Sequence, residues 1–560
     1  MTLPVWPDAA DTLRRNLAGL PPDVRAVIER ETAATGLRCD AGNPARSTVQ
    51  AADERWVRLH GSDDPVAACM PLLEKLGKGS SLLVVIGLGL GYLLEAMELR
   101  GVTTRVLAVE PFPEVARAML ARRDWRRWIE SRQLTLLVGS NPSRAVEASR
   151  LLAEPVVTPP TVVLPCLQSD FPDDLARAKA IVAKIVAGAR ANEMARRRFA
   201  GRYLLNTIAN LPTIASEGDV AALDGRFNRV PAVVVAAGPS LDPSLVHLKT
   251  VADRALVIAV DTAVRPLLAA GIRPQVVVAL DPSDLNAKHL RNLPDVSGMW
   301  LAAEGSVDPS ILPQFTGRTF TFKVSPHHPW PWMGGLGITR GTLRAWGSVL
   351  TSAFDLACRA GCDPIAFVGA DLAYTDGLPY CRNTIYEADW GAFPTRALLA
   401  AAHHDYLRSR PHLFLPDVRG GEVMTTPSFV QFRDWVVARA GEEPGRRVVN
   451  ATGGGILSGG RITQQSLESV VMLGRPADSM RESLTAAWER GLPERALSRR
   501  AIAAARREGR EWPSAQWLAF GGDTATTEQI ERAIDSAVAE TVRLVHQEGG
   551  SAPYPEREAS

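Results

Sequence analysis

The stretch VVVAAGPSLDPSL, residues 233–245, sets the architecture of the larger part of this chain. An apolar run leads directly into a Gly-Pro-Ser turn at 238–240. Asp242 followed by Pro243 is then a well-matched helix start, with Asp242 as the N-cap. In open α/β sheets, ligands bind outside the carboxyl ends of the strands. The stretch therefore predicts a buried strand, a ligand-binding turn and a helix.

Other apolar runs extend this pattern to two sheets. They are continuous rather than alternating, as expected for parallel strands covered on both faces. The predicted central strands are AVVVAAG (232–238), ALVIAVD (255–261), QVVVALD (275–281), MWLAAE (299–304) and PIAFVGAD (364–371). An earlier group begins near Ser81 and continues with TRVLAVE (104–110), LTLLVG (134–139) and TVVLPC (161–166). Strands that alternate with helices in this way predict Rossmann-like units.

We therefore expect an α/β protein with two Rossmann-like parallel-sheet domains, a helical connector and a helical C-terminal region. A chain of 560 residues is too long for one core, so several domains are expected. The predicted divisions are an N-terminal Rossmann-like domain at 1–170, a connector at 171–228, a central catalytic domain at 229–475 and a helical region with a disordered tail at 476–560.

The composition is that of an ordinary soluble globular protein, with 46% apolar and 22% charged residues. A net charge of +2 does not favour a nucleic acid partner, which usually selects a strongly basic surface. Six scattered cysteines without a CxxC pair argue against a zinc site or a disulfide framework. The chain begins without a signal-peptide pattern, and no apolar stretch is long enough to cross a bilayer. We expect a cytoplasmic protein.

Three acidic residues stand at the ends of predicted central strands: Asp261, Asp281 and Asp371. If these strands are neighbours, the carboxylates converge on the crevice that contains the Gly-Pro-Ser turn. The amides of that turn and the Ser240 hydroxyl are expected to face a phosphate or a nucleotide. The carboxylates suit sugar or ribose hydroxyls, a metal ion or the role of a base.

Several segments in this order resemble the superfamily of the domain of unknown function 115. They are GRYLLNTIANLPTI with Asn206 and Asn210, the GPSLD turn, AVDTAVRPLLAAGIRPQVVVALDPSD, VGADLAYTDG, and VVNATGGGILSGGRI. The superfamily includes the motility-associated factor (Maf) flagellin glycosyltransferases and the archaeal 6-hydroxymethylpterin pyrophosphokinases. The resemblance covers about residues 195–470, and the additional N- and C-terminal regions resemble the longer Maf architecture.

The resemblance implies a sialyltransferase-like central domain that moves a sugar from a CMP-activated donor. The sugar would be a nonulosonic acid such as pseudaminic or legionaminic acid, and the acceptor Ser or Thr of flagellin or another surface protein. No metal is required. The implied nucleotide and donor contacts are Gly238, Pro239, Ser240, Asp261, Thr262 and Gly369. The implied catalytic residues are Asp281, Asp371 and Tyr374.

The sequence departs from the family pattern at two places. A His often follows the DLAYTDG segment, but Tyr380 and Cys381 stand there in this chain. Asp371, or His327 or His328, would then have to serve as the base. Gly453 stands where related sequences tend to carry Glu.

Other functions remain open from the sequence. One is a pyrophosphokinase that uses ATP and Mg²⁺, with Asp281, Asp284 and Asp371 near the metal. Another is a nucleotide-sugar-binding protein without catalysis. The Gly87–Gly91 turn, with Glu110 at the end of the next strand, is similar to an S-adenosylmethionine site. A lone glycine-rich turn is a weak signal, so we favour a structural or degenerate Rossmann-like domain.

Overall fold

The computed structural model divides the chain into two compact units, Met1–Ala195 and Arg196–Ser560. We call them the N-terminal unit and the central unit. The structure describes residues 6, 8–30, 36–40, 42–51, 53–75, 82–139, 159–324, 330–335, 337–389, 395–409, 411–471 and 480–493. The predicted disordered tail, most of the predicted C-terminal helices and the His327–His328 pair lie outside the described residues.

The N-terminal unit contains a parallel sheet of four strands in the order β6-β5-β4-β7. Its strands are β4 (Leu82–Ile86), β5 (Arg105–Glu110), β6 (Leu134–Val138) and β7 (Thr161–Val163). A separate antiparallel sheet is formed by β1 (Leu37–Arg38), β2 (Thr48–Gln50) and β3 (Trp56–Arg58). The helices are α1 (Ala9–Gly19), α2 (Pro22–Arg30), α3 (Pro65–Lys75), α4 (Tyr92–Leu99), α5 (Pro113–Arg122), α6 (Arg126–Glu130) and α7 (Pro165–Ser169).

The apolar run of β4 explains why this sheet is covered on both faces. All five residues of β4 are buried. Leu83 and Val85 pack into one apolar cluster, while Val84 and Ile86 pack into another. Alternate side chains of a strand point to opposite faces, so a continuous apolar run needs two covered faces.

A long helix, α8 (Pro172–Ala209), lies where the connector was predicted and runs across the division between the units. The following helix α9 (Leu211–Ser216) belongs to the central unit. Among the described residues, no helix combines the length and the apolar character needed to cross a membrane.

The central unit is built on a parallel sheet of nine strands in the order β18-β17-β14-β9-β10-β11-β12-β13-β8. The strands are β8 (Gly218–Asp219), β9 (Ala232–Val235), β10 (Leu256–Val260), β11 (Val276–Ala279), β12 (Trp300–Glu304), β13 (Thr319–Phe322), β14 (Ile365–Val368), β17 (Val448–Asn450) and β18 (Ile462–Gln464). A short antiparallel hairpin is formed by β15 (Leu413–Pro416) and β16 (Glu422–Thr425). The expected α/β class with two parallel sheets is confirmed.

Helices connect and cover these strands. They are α10 (Leu241–Val251), α11 (Val264–Ala269), α12 (Asp284–Ala287), α13 (Trp330–Gly335), α14 (Val349–Arg359), α15 (Ile385–Asp389), α16 (Arg396–Arg408), α17 (Pro427–Gly441), α18 (Leu467–Val471) and α19 (Met480–Gly491). Short 3₁₀ helices span Val220–Leu223, Asp261–Ala263, Pro309–Phe315 and Thr375–Gly377, and one in the N-terminal unit spans Pro44–Arg46.

All five predicted central strands are present, but the sheet has four further strands: β8, β13, β17 and β18. The sequence of β13 is Thr-Phe-Thr-Phe and all four residues are buried. Because two of the four are threonines, this core strand does not form a continuous apolar run in the sequence. The other three have only two or three residues each. Such short strands are defined by their pairing partners rather than by their own pattern.

The edge strand β8 is covered by α19. The Trp488 indole donates a hydrogen bond to the carboxylate of Glu217 at 2.8 Å, directly before the strand. A Cβ on Gly218 would lie 2.8 Å from the indole, so the helix approaches the strand closely. Covering an edge in this way removes a site at which another chain would pair.

Candidate functional site

The order of the central strands creates a crevice beside β9. From β9 the chain proceeds through β10, β11, β12 and β13 in one direction. It then returns to place β14 on the other side of β9. Loops that leave two adjacent parallel strands in opposite directions open a crevice at their carboxyl ends, and ligands bind there. The Gly-Pro-Ser turn follows β9 and Asp371 follows β14, so both lie at this switch point.

Two glycines allow the loops after β9 and β14 to touch. The Gly238 amide donates a hydrogen bond to the carbonyl of Gly369 at 2.8 Å. A Cβ on Gly238 would lie 2.0 Å from Oδ2 of Asp371, and one on Gly369 would lie 2.2 Å from the carbonyl oxygen of Ala236. No side chain fits at either position without displacing backbone or the carboxylate.

The centre of the crevice is a buried pair between Ser240 and Asp371. The Ser240 hydroxyl donates to Oδ2 of Asp371 at 2.7 Å, and the Ser240 amide lies 3.3 and 3.4 Å from the two carboxylate oxygens. Ser240 is 3% exposed and Asp371 is 1% exposed. Burial raises the pKa of Asp371 to about 6, while these hydrogen bonds act in the opposite direction.

This pair corrects the prediction that the turn presents free donors to a ligand. The amide of Gly238 is taken by a carbonyl, Pro239 has no amide hydrogen, and both donors of Ser240 are taken by Asp371. The physical reason is the burial of Asp371: a buried carboxylate without donors is costly, and the turn supplies them. A ligand that uses the turn must compete with Asp371.

The helix start also differs from the prediction. Helix α10 begins at Leu241 with Ser240 as its N-cap, and Asp242 lies in the first turn. Ser240 makes no side-chain capping bond because its hydroxyl faces Asp371. Asp242 instead accepts the amide of Arg382 at 3.0 Å, which ties the segment after Tyr380 to the turn.

A second polar group lies at the end of β10. Asp261 is 1% exposed and accepts the Thr262 amide at 2.7 Å and the side-chain amide of Asn286 at 2.6 Å. Burial, with a smaller contribution from the charge of Asp281, raises the pKa of Asp261 to about 7. The group therefore exchanges a proton near neutral pH, which suits either hydrogen bonding to a hydroxyl or proton transfer.

Asp281, at the end of β11, is exposed, and it accepts the amide of Ser283 at 2.7 Å. Asn206 donates to the adjacent carbonyl of Pro282 at 3.0 Å and so holds this loop to α8. Asp284 is paired with Arg291 at 2.6 Å.

The predicted convergence of three carboxylates therefore holds for the order of the strands but not for a single cluster. Asp371 bonds to the Gly-Pro-Ser turn, Asp261 bonds to Asn286, and Asp281 faces solvent. Within the described ranges, no group of three or more His, Cys, Asp or Glu side chains is arranged to hold a metal ion.

Aromatic side chains border the crevice. Tyr374 is half-buried and its amide donates to the carbonyl of Met424 at 2.8 Å. The Tyr380 ring, which stands where the family often has a His, stacks on the Tyr386 ring with centroids 4.7 Å apart. Burial raises the pKa of Tyr380 well above its ordinary range, so its hydroxyl stays protonated and is not a base at neutral pH.

Cys381 and Gly453, the remaining residues of the two departures from the family pattern, also lie here. The Cys381 amide donates to the carbonyl of Ala237 at 3.0 Å, so this position is part of the loop contact. A Cβ on Gly453 would lie 3.9 Å from Cβ of Ser240, so Gly453 borders the turn with space for a side chain.

Two residues were missed by the sequence analysis: Asn286 and His289. They are three positions apart in the segment that follows Asp281: Asn286 lies in α12, and His289 lies in the turn directly after that helix. His289 is fully buried, its ring lies 5.4 Å from that of Tyr386, and no described residue bonds either ring nitrogen. Burial lowers the pKa of His289 to about 4, so the ring is neutral at pH 7.

The glycine-rich turn at Gly87–Gly91 in the N-terminal unit is occupied by the protein itself. The carboxylate of Glu110, 1% exposed, accepts the amides of Leu88 at 2.8 Å and Gly89 at 2.9 Å. The Nε2 atom of His60 accepts the next amide at 3.2 Å. The acid that would bind ribose hydroxyls in a methyltransferase is here a partner of the turn, which supports a structural role.

The fold is that of an α/β protein with a crevice at the topological switch point of a nine-stranded parallel sheet. Residues 205–377 match the family described as 6-hydroxymethylpterin diphosphokinase MptE-like. The predicted resemblance to this superfamily is thus confirmed, and the matched segment contains the Gly-Pro-Ser turn, Asp261, Asp281 and Asp371.

A solved structure described as a Maf glycosyltransferase from Magnetospirillum magneticum AMB-1 is similar to the chain. The two share 16% sequence identity with a TM-score of 0.42, and the alignment covers 96% of this chain and 91% of that one. No curated protein matches the chain.

Proposed function

We propose that the central unit is a glycosyltransferase. It transfers a sugar, of the nonulosonic acid type, from a CMP-activated donor to Ser or Thr of flagellin or another surface protein. The observation that carries this proposal is the Ser240–Asp371 pair at the switch point, because it joins a nucleotide-type turn to a carboxylate with a pKa of about 6. The proposed reaction uses a nucleotide-activated sugar and takes place in the cytoplasm.

Because Ser240 bonds to Asp371, binding of the donor at the turn changes the surroundings of the carboxylate. A donor phosphate that accepts hydrogen bonds from Ser240 displaces Asp371 from the same donors. The freed carboxylate then lies near a negative charge and has lost its hydrogen bonds, and both changes raise its pKa. Asp371 thereby becomes a stronger base only when the donor is bound.

The chemistry follows from this exchange. The acceptor hydroxyl oxygen forms a bond to the anomeric carbon of the sugar while the bond from that carbon to the CMP phosphate oxygen breaks. The hydroxyl proton passes to Asp371, and CMP leaves with the electron pair of the broken bond. Asp261 accepts hydrogen bonds from hydroxyls of the donor, and Asn286 holds it in place.

A pyrophosphokinase acting on a pterin-like alcohol is the second candidate, favoured by the name of the family that matches residues 205–377. That reaction uses ATP with Mg²⁺, and oxygen ligands from carboxylates would hold the ion. Two of the carboxylates proposed for it already have protein partners, Asp284 with Arg291 and Asp371 with Ser240, and Asp281 faces solvent. The geometry therefore favours the glycosyltransferase.

Calorimetric titration of the full chain with CMP, and separately with ATP and Mg²⁺, tests the proposal. Asp281→Ala removes a carboxylate at the carboxyl end of β11, and Asp295→Ala removes an exposed one in the connection that leads back to the opposite end of β12. We expect CMP to bind the wild type and the Asp295 variant with equal affinity. Its affinity for the Asp281 variant should differ from that for the wild type. ATP binding that requires Mg²⁺, without CMP binding, would overturn the proposal in favour of the pyrophosphokinase.

Catalysis needs its own assay. Transfer of a nonulosonic acid from its CMP donor to flagellin is followed by the mass increase of the acceptor. Asp371→Asn keeps the shape of the side chain but cannot take the proton, so we expect donor binding with transfer reduced at least 100-fold. Donor binding without any transfer by the wild type identifies a binding protein instead.

A further inference from the structure

A cavity lies at the β8 edge of the central sheet. We call it the β8 cavity; its volume is about 440 Å³, and its lining includes Asp219, Asp224, Arg226, Arg340, Arg490 and Gly491. In the sheet order, β8 is five positions from β9. At about 4.8 Å per strand, β8 is about 24 Å from β9 across the sheet, and no residue of the Gly-Pro-Ser turn lines the cavity. It is a separate site.

A buried arginine anchors the β8 cavity. Arg340 is 7% exposed, and its guanidinium donates to Oγ1 of Thr321 at 2.7 Å, to the carbonyl of Thr339 at 2.7 Å and to the carbonyl of Ile214. All three acceptors are uncharged. A guanidinium has five N–H donors, so two remain after these bonds. No described carboxylate lies within ion-pair distance of Arg340, and an unpaired buried charge is costly.

The acidic residues of the lining already have partners. Asp219 accepts the amides of Ala221 at 2.9 Å and Gly341 at 2.8 Å. Asp224 forms an ion pair with Arg359, at 2.9 Å from its Nε. The charge of Asp219 acts on Arg340 through space without a hydrogen bond between them.

The basic residues at the rim of the β8 cavity, Arg226 and Arg490, differ from these acidic residues in having no described partner. Arg226 and Arg490 are exposed, and neither side chain forms a hydrogen bond or ion pair with a described residue. The cavity therefore combines engaged carboxylates with guanidinium groups that still have donors to offer. A volume of this order is in the range of small-molecule sites.

We propose that the β8 cavity binds a small molecule with a multiply charged oxyanion group, held by Arg340 at its base and by Arg226 and Arg490 at its rim. Guanidinium groups bind phosphate and carboxylate oxygens through paired N–H donors, so both kinds of oxyanion share the required chemistry. The proposal does not depend on the glycosyltransferase proposal.

The test is calorimetric titration of the full chain with inorganic pyrophosphate and, in a second arm, with citrate. Arg226→Gln combined with Arg490→Gln removes the two rim charges. Arg273→Gln combined with Arg447→Gln is the matched control, because it removes two exposed arginines outside the lining. We expect the rim variant to bind at least tenfold more weakly and the control less than twofold.

The arms also identify the ligand class and the place of binding. Binding of pyrophosphate alone assigns a phosphate ligand, and binding of citrate alone assigns a polycarboxylate. Bound probe should slow hydrogen exchange in peptides covering residues 337–343 and 484–493. Binding of neither probe, equal weakening by both pairs of substitutions, or protection only around residues 236–242 would overturn the proposal.

The substitution Arg340→Lys tests the role of the buried guanidinium group while retaining the positive charge. Lysine cannot reproduce the planar set of donors, so we expect weaker probe binding at an unchanged rim. Because three buried acceptors lose their partner, exchange rates of the β13 amides are measured alongside. If the Arg340 variant does not fold, the variant with Arg226→Gln and Arg490→Gln alone tests the proposal.

Discussion

Replacing Asp371 with Asn is expected to stabilise the central unit at alkaline and neutral pH. Burial raises the pKa of this carboxyl from its ordinary value of 3.8 to about 6. An acid with a raised pKa in the folded state weakens folding wherever it is ionised in both states. This penalty is absent below about pH 4, grows between pH 4 and 6, and is complete above pH 6.

The size of the effect follows from the same pKa. A rise from 3.8 to about 6 corresponds to about 3 kcal/mol at pH 8. Asn keeps an acceptor for the Ser240 hydroxyl, and the favourable hydrogen bonds of the ionised carboxylate are already contained in the pKa of about 6. The expected gain is therefore about 3 kcal/mol at pH 8 and close to zero at pH 4.

Hydrogen exchange of peptides from β9 and β14 measures this gain within the central unit. About 3 kcal/mol corresponds to exchange slowed about 150-fold at pH 8 relative to the wild type at the same pH. Asp376→Asn is the control, because its side chain is exposed and lies in the same loop. A gain of equal size at pH 4 and pH 8, or no gain at pH 8, would refute the argument from burial.

Four further substitutions test contacts of the two turns and of the loops bound by Asn206. Glu110→Ala leaves two buried amides of the glycine-rich turn without an acceptor and should destabilise the N-terminal unit by about 3 kcal/mol, measured by hydrogen exchange of β4. Gly238→Ala should prevent folding of the central unit, whereas Gly453→Ala, with space around the added Cβ, should not; soluble yield and circular dichroism distinguish them. Asn206→Ala removes two hydrogen bonds to loop carbonyls and should cost about 2 kcal/mol, with faster exchange confined to residues 280–310 as the expected signature.

Local sequence pattern was sufficient to place five of the central strands, β9, β10, β11, β12 and β14, and the turn after β9. Continuous apolar runs need two covered faces, and this requirement leaves few alternatives to a parallel sheet. The same pattern located the acids at the strand ends. It could not identify β13, in which buried threonines alternate with phenylalanines, because their burial comes from neighbouring strands.

Partners of the polar groups were decided by contacts distant in the chain. Ser240 and Asp371 are separated by 131 positions, and their hydrogen bond exists because β9 and β14 are neighbours in the sheet. Because these strands are adjacent, the donors of the turn bond to the protein rather than to solvent. The N-cap of the following helix is Ser240 and not the predicted Asp242. The residues near a strand end are therefore readable from sequence, whereas the donor that each carboxylate binds depends on which strands are adjacent.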